Sequence, residues 1–188
     1  MTAENKSIFE LFKSKAEMVS AEVHSFQTSN EALSFILNFL EKEGLAKTGG
    51  PTAVWANCPF LNSLDKKQLS SKIQGLGFEV NSTTAGEAKI GISQMDLAIA
   101  DTGTLVQDAT NAEQRLASTL PDIHIAIVST RNIVPDLATA LSRISPARTA
   151  YMAFITGPSR TADIERVLTI GVHGPERLII VFVDQLEE

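Results

Sequence analysis

Two near-continuous apolar runs limit what this chain can become: residues 151–155 (YMAFI) and residues 178–183 (LIIVFV). A strand with one face in water alternates apolar and polar residues, whereas these runs leave no polar face. Between them, Ile164, Val167 and Leu168 fall at helical spacing. Apolar runs separated by a helix suit parallel strands covered on both faces. Residues 123–128 (IHIAIV) read as a further buried strand. Strand and helix signals alternate along the rest of the chain, which predicts an α/β fold with an open, mostly parallel sheet and helices on both faces. At 188 residues, one domain spanning positions 1–188 is expected.

The other elements follow from local patterning. Ile8, Leu11, Phe12, Ala16 and Val19 mark an amphipathic N-terminal helix within residues 1–20, and residues 22–26 (EVHSF) a weak first strand. Ser29 or Asn30 can cap the next helix, whose apolar face is wide. Residues 52–56 form a short strand on which Trp55 suits the core better than a pocket wall. Residues 61–73 read as one helix, residues 78–80 as the start of a strand, and residues 83–93 as a poorly formed helix or loop. Gly75 and Gly77 close a helix instead of opening one, so they are a cap and turn, not a dinucleotide loop. Residues 96–100 and 103–106 flank the turn Asp101-Thr102-Gly103-Thr104, giving strand, tight turn, strand. A short helix carries Arg115, and residues 136–144 form another.

Charge and composition exclude several classes of function. The net charge of −6 disfavours nonspecific nucleic-acid and anionic-membrane binding. No run approaches the ~18 apolar residues of a membrane span, and residues 1–15 do not read as a signal peptide, so a cytoplasmic protein is expected. The single Cys58 cannot form an internal disulfide or a thiolate metal cage, and no His or Asp motif accompanies it as in a nucleophile. His24 has no ligand-type neighbour, and His124, alone on an apolar strand, reads as a satisfied core residue. Every Lys lies at or before Lys89 and every Arg at or after Arg115. The planar guanidinium fork matches carboxylates and phosphates, so anion handling belongs to the second half.

Two Gly/Pro loops there are the richest in chemistry. Gly157, Pro158, Ser159, Arg160 and Thr161 lead from a strand into the expected helix. Free N–H groups, hydroxyls and a guanidinium suit a carboxylate or phosphate, while a turn plus N-cap explains the same residues. Asp163 and Glu165 at that helix start favour a monocarboxylate or a shared polar network over a highly charged phosphate. Gly171-Val172-His173-Gly174-Pro175, with Arg177 following, holds His173, either a general acid/base or a hydrogen bond that locks the loop. Asp101, Thr102, Gly103 and Thr104 could bind polar ligand groups, or form an Asx-type turn.

Together, ADTGT (residues 100–104), Arg115, Leu120-Pro121 with His124, GPSRTADIE (residues 157–165) and GVHGP with Arg177 resemble the lactate utilization protein C family, the LUD domain. These motifs lie in order across about the second half of the chain. The resemblance implies a Rossmann-like fold akin to the sugar-phosphate isomerase and CoA-transferase-like proteins. It further implies a role in bacterial oxidation of L-lactate to pyruvate with two iron–sulfur partner proteins. No cofactor is expected on this chain, because it lacks the cysteines for a cluster. An accessory, non-redox subunit that binds a small carboxylate or a partner is the first expectation. His173, Asp101 and Asp163 are candidate acid/base groups. Thr102, Gly103, Thr104, Arg115, Gly157, Pro158, Ser159, Arg160, Thr161, Gly174 and Arg177 are candidate ligand-binding residues. The alternative is an independent enzyme of the same superfold acting on an anionic metabolite.

Overall fold

The computed structural model describes residues 3–145, 147, 149–161 and 169–186, with side chains from residue 6 onward. The helices are α1 (Ala3–Met18), α2 (Ser29–Lys42), α3 (Pro59–Asn62), α4 (Lys66–Lys72), α5 (Ser82–Glu87), α6 (Ala112–Thr119) and α7 (Leu137–Arg143). The strands are β1 (Ala21–Thr28), β2 (Ala53–Trp55), β3 (Leu76–Gly77), β4 (Ile90–Gln94), β5 (Leu97–Ile99), β6 (Thr104–Asp108) and β7 (Ile123–Ser129). They continue with β8 (Ile133–Val134), β9 (Met152–Ile155), β10 (Arg160–Thr161), β11 (Thr169–Ile170) and β12 (Arg177–Gln185).

A six-stranded sheet in the order β1-β12-β7-β4-β2-β3 forms the centre, and every neighbouring pair in it is parallel. The run 178–183 lies in β12 between two partners, and its side chains divide between the two faces. Ile179, Val181 and Val183 pack with α2, α3 and α4 through Ile36, Leu40, Phe60, Leu61 and Leu69. Leu178, Ile180 and Phe182 pack on the opposite face with Phe9, Phe12 and Ala16 of α1. Phe9 and Phe12 meet Phe182 edge-on at 5.2 and 5.1 Å, a favourable aromatic geometry. Burial on both faces is what removes polar residues from this strand.

A second sheet, β8-β5-β6-β9, packs on the α1 face. The expected strand-turn-strand around Asp101–Thr104 is the antiparallel pair β5–β6, with Ile99 opposite Thr104. The run 151–155 departs from the expectation. It forms β9, pairs antiparallel with β6, and is only half-buried, with Phe154 and Tyr151 exposed. An apolar run carries no record of which sheet it joins, and β9 is an edge strand whose outer side chains have one cover.

Other local readings also shift. Residues 61–73 split into α3 and α4, because the Asp65 carboxylate accepts from the N–H groups of Lys67 and Gln68 and starts a new helix. Thr28, not Ser29 or Asn30, caps α2, in a capping box with Glu31. Residues 78–80 are not a strand, and residues 83–93 cover most of both α5 and the central strand β4. The helix expected around Ile164, Val167 and Leu168 lies outside the described residues, as does Asp163.

Candidate functional site

The loops that carry the motifs converge on the junction between α1 and β1. Gly103, at φ +66°, presses on α1 so closely that a Cβ there would sit 2.4 Å from the Ala16 nitrogen. Gly157, at φ +68°, meets Val19 in the same way, 2.4 Å from its carbonyl oxygen. Both positions need a residue without a side chain, in a conformation that favours glycine. Arg160 donates to the Val19 carbonyl and, at 3.2 Å, to the Ser20 hydroxyl. Ser20 itself sits at φ 69°, so Arg160 clasps a turn that is strained for a side-chain-bearing residue.

The three loops also bind one another. The Thr104 and Thr156 hydroxyls lie 2.8 Å apart, joining the Asp101–Thr104 turn to the segment after β9. The Ser159 N–H donates to the Pro175 carbonyl at 2.8 Å, and the Gly171 N–H to the Ser159 carbonyl at 3.0 Å. Gly174 lies against the Ser159 side chain and the Thr119 carbonyl. Arg160 and Thr161 pair with Ile170 and Thr169 in a two-residue antiparallel ladder. Pro158 is buried in this cluster, while Asp101, Thr102 and His173 are exposed on it. Residues scattered from 101 to 175 therefore form one surface. Its last loop precedes β12, which places that part at the amino edge of the parallel sheet.

The three described arginines proposed as anion binders have protein partners. Arg160 holds the α1–β1 turn. Arg115 donates to the carbonyls of Ala109 and Thr110 and lies 5.2 Å from the centre of the Tyr151 ring. Arg177 pairs with Glu22 at 2.9 Å and Glu43 at 3.4 Å, and lies over Phe39. Lys89 approaches the same Glu43 at 2.5 Å. The Lys89 hydrogen bond, with help from Arg177, holds the Glu43 carboxyl below the usual carboxylate range. Among the described residues, what the loop surface offers a ligand is therefore hydroxyls, the Asp101 carboxylate and the His173 ring.

A second constellation lies inside the fold. The His124 Nε2 is 2.9 Å from the Ser93 hydroxyl, to which the Gln107 amide also donates at 3.0 Å. The same amide reaches the Gln94 carbonyl and the Gln114 side chain, and Gln114 donates to the Asn57 carbonyl at 2.8 Å. The chain of bonds runs from the buried His124 to exposed Asn57, beside the carboxyl ends of β2 and β4. There the path of the chain reverses across the sheet, the position where open α/β folds place ligands. Full burial pushes the His124 pKa down to about 3, so the ring is neutral. Its Nδ1 and the Gln107 Oε1 are buried without a protein partner. Sequence reasoning missed Ser93, Gln107 and Gln114. A polar residue inside a strand-forming run, as in GIS and LVQD, was the available signal.

Cys58 is buried, and desolvation raises its thiol pKa, which opposes the thiolate that a nucleophile or metal ligand needs. Among the described residues no group of three His, Cys, Asp or Glu side chains could hold a metal ion. No described helix is long and apolar enough to cross a membrane.

A profile of the LUD domain matches residues 9–183, almost the whole chain. The chain belongs to the LUD domain family. It is 37% identical over 105 residues to lactate utilization protein C of Geobacillus sp., covering 53% of this chain and 44% of that protein. It is 41% identical over 115 residues to lactate utilization protein C of Exiguobacterium sp., covering 57% and 50%. The chain thus spans about half the length of these relatives. A crystal structure of a DUF162 family protein from Deinococcus radiodurans is similar in fold, with a TM-score of 0.66 at 18% identity, covering 95% of this LUD domain and 98% of that chain. The α/β architecture read from the alternating elements, with its mostly parallel central sheet, is the one observed.

Proposed function

We propose that this LUD domain is an accessory, non-redox subunit of a bacterial system that oxidises L-lactate to pyruvate. Two iron–sulfur partner proteins would carry the electrons. The observation that carries the reading is the gathering of the motif loops, distant in sequence, into one surface on a chain similar to lactate utilization protein C. The sole cysteine supports it, because a buried, protonated thiol is a poor cluster ligand. The loop surface would engage a small carboxylate or a partner through its two loops at residues 157–161 and 171–175, with His173 and Asp101 exposed on it. Arg115, Arg160 and Arg177 are committed to protein groups, which favours a partner over a free anion at this surface, whether that anion is bound or processed. Deleting the gene should abolish growth on L-lactate and spare growth on pyruvate. Unchanged growth on lactate would remove this reading.

A further inference from the structure

A groove of about 420 Å³ opens beside the motif surface, between α7 and β9. Its walls are Ile99, Leu137, Leu141 and Phe154, and one end is set with the hydroxyls of Thr102, Thr104 and Thr156. Leu137, Leu141 and Phe154 are 47%, 52% and 44% exposed, unusual for side chains of this size gathered in one place. The Thr104–Thr156 contact uses one hydroxyl proton, which leaves the other free to donate to a ligand oxygen. None of the seven described lining residues is charged.

We propose that this groove binds a small neutral molecule with an apolar ring or chain and one carbonyl or hydroxyl oxygen. The volume falls in the range of small-molecule pockets, roughly 300–1,000 Å³, with apolar walls and a few convergent polar groups. Lactate and pyruvate do not match it. Each is an anion of three carbons, and the described lining offers them no cation and far more apolar wall than they can cover. Hydroxyls gathered at one end of an otherwise apolar groove suit a ligand with a single oxygen at one end, and covering of the groove by a second copy is an outcome of the test below. The site is thus distinct in ligand chemistry from the carboxylate role of the adjoining loops and does not depend on the lactate reading.

The test is titration of the intact chain with 1-naphthol and, separately, 1-naphthoate, followed through the methyl NMR signals of Ile99, Leu137 and Leu141. The expected result is saturable shifts of these methyls with 1-naphthol, and binding at least tenfold weaker for the carboxylate. Leu141→Asp, at a half-exposed position, should weaken 1-naphthol at least tenfold. Thr156→Val should weaken it about two- to tenfold, the effect of one hydrogen bond. Should Leu141→Asp misfold, Leu137→Asp gives the same reading. Equal binding of naphthol and naphthoate, shifts centred elsewhere, or a dimer in sedimentation that buries these methyls would each overturn the proposal.

Discussion

Acid should weaken this protein through one buried imidazole. His124 is neutral in the folded state, with a pKa of about 3, and returns to about 6.5 when the chain unfolds. The unfolded state therefore binds more protons across that interval. Stability is full above pH 6.5 and declines as pH falls towards 3. Near its limit the slope is about 1.4 kcal/mol per pH unit, and between pH 7 and 5 the loss integrates to about 2 kcal/mol. At a urea dependence of roughly 2 kcal/mol per molar, that is a midpoint shift of about 1 M. Carboxylates held low, such as Glu43, lose stability in the same direction but mainly below pH 4.5. The comparison is with His124→Gln, whose amide can still reach the Ser93 hydroxyl and cannot titrate. Half-buried His24, also pushed down by desolvation, is present in both proteins and cancels. Urea melts at pH 7 and 5 should show the variant losing about 2 kcal/mol less than the parent. An equal loss in both would refute the account of a buried, neutral His124.

Other perturbations test the loop cluster and the core. Gly103→Ala puts a methyl against α1 at a positive φ, and should destabilise by more than about 1 kcal/mol in a chemical melt. Arg160→Ala removes the donor to the Val19 carbonyl, and amide exchange around residues 19–22 should quicken by about tenfold, equivalent to ~1.4 kcal/mol. An unchanged exchange rate would mean that the clasp holds nothing. Cys58 should react with an aromatic disulfide reagent at least about 100-fold more slowly in the native protein than in urea, given its burial and raised pKa.

The sequence was legible where burial leaves a one-dimensional mark. The apolar run 178–183 within β12 announced a central strand, and the Gly/Thr turn at 101–104 announced its hairpin. Strand β4 left almost no mark, although it lies at the middle of the sheet. Gly91 replaces the expected branched residue because the Ala117 carbonyl would lie 1.9 Å from its Cβ. Ser93 breaks the apolar pattern because it answers His124 and Gln107 across the interior. The same limit applies to the site. Residue types identified the loops, but only three-dimensional packing assigns Arg160 to Val19, Arg177 to Glu22 and Glu43, and Arg115 to backbone carbonyls. A guanidinium in a motif has the same letter whether it meets a ligand or its own chain.

The central claim, a non-redox subunit that works with iron–sulfur proteins in lactate use, is tested most directly by anaerobic purification of a tagged copy from cells grown on L-lactate. Iron, acid-labile sulfide and two cysteine-rich proteins should co-elute with it in stable proportion, and the isolated chain alone should carry no iron. An iron-free eluate from lactate-grown cells, with no such proteins attached, would contradict it.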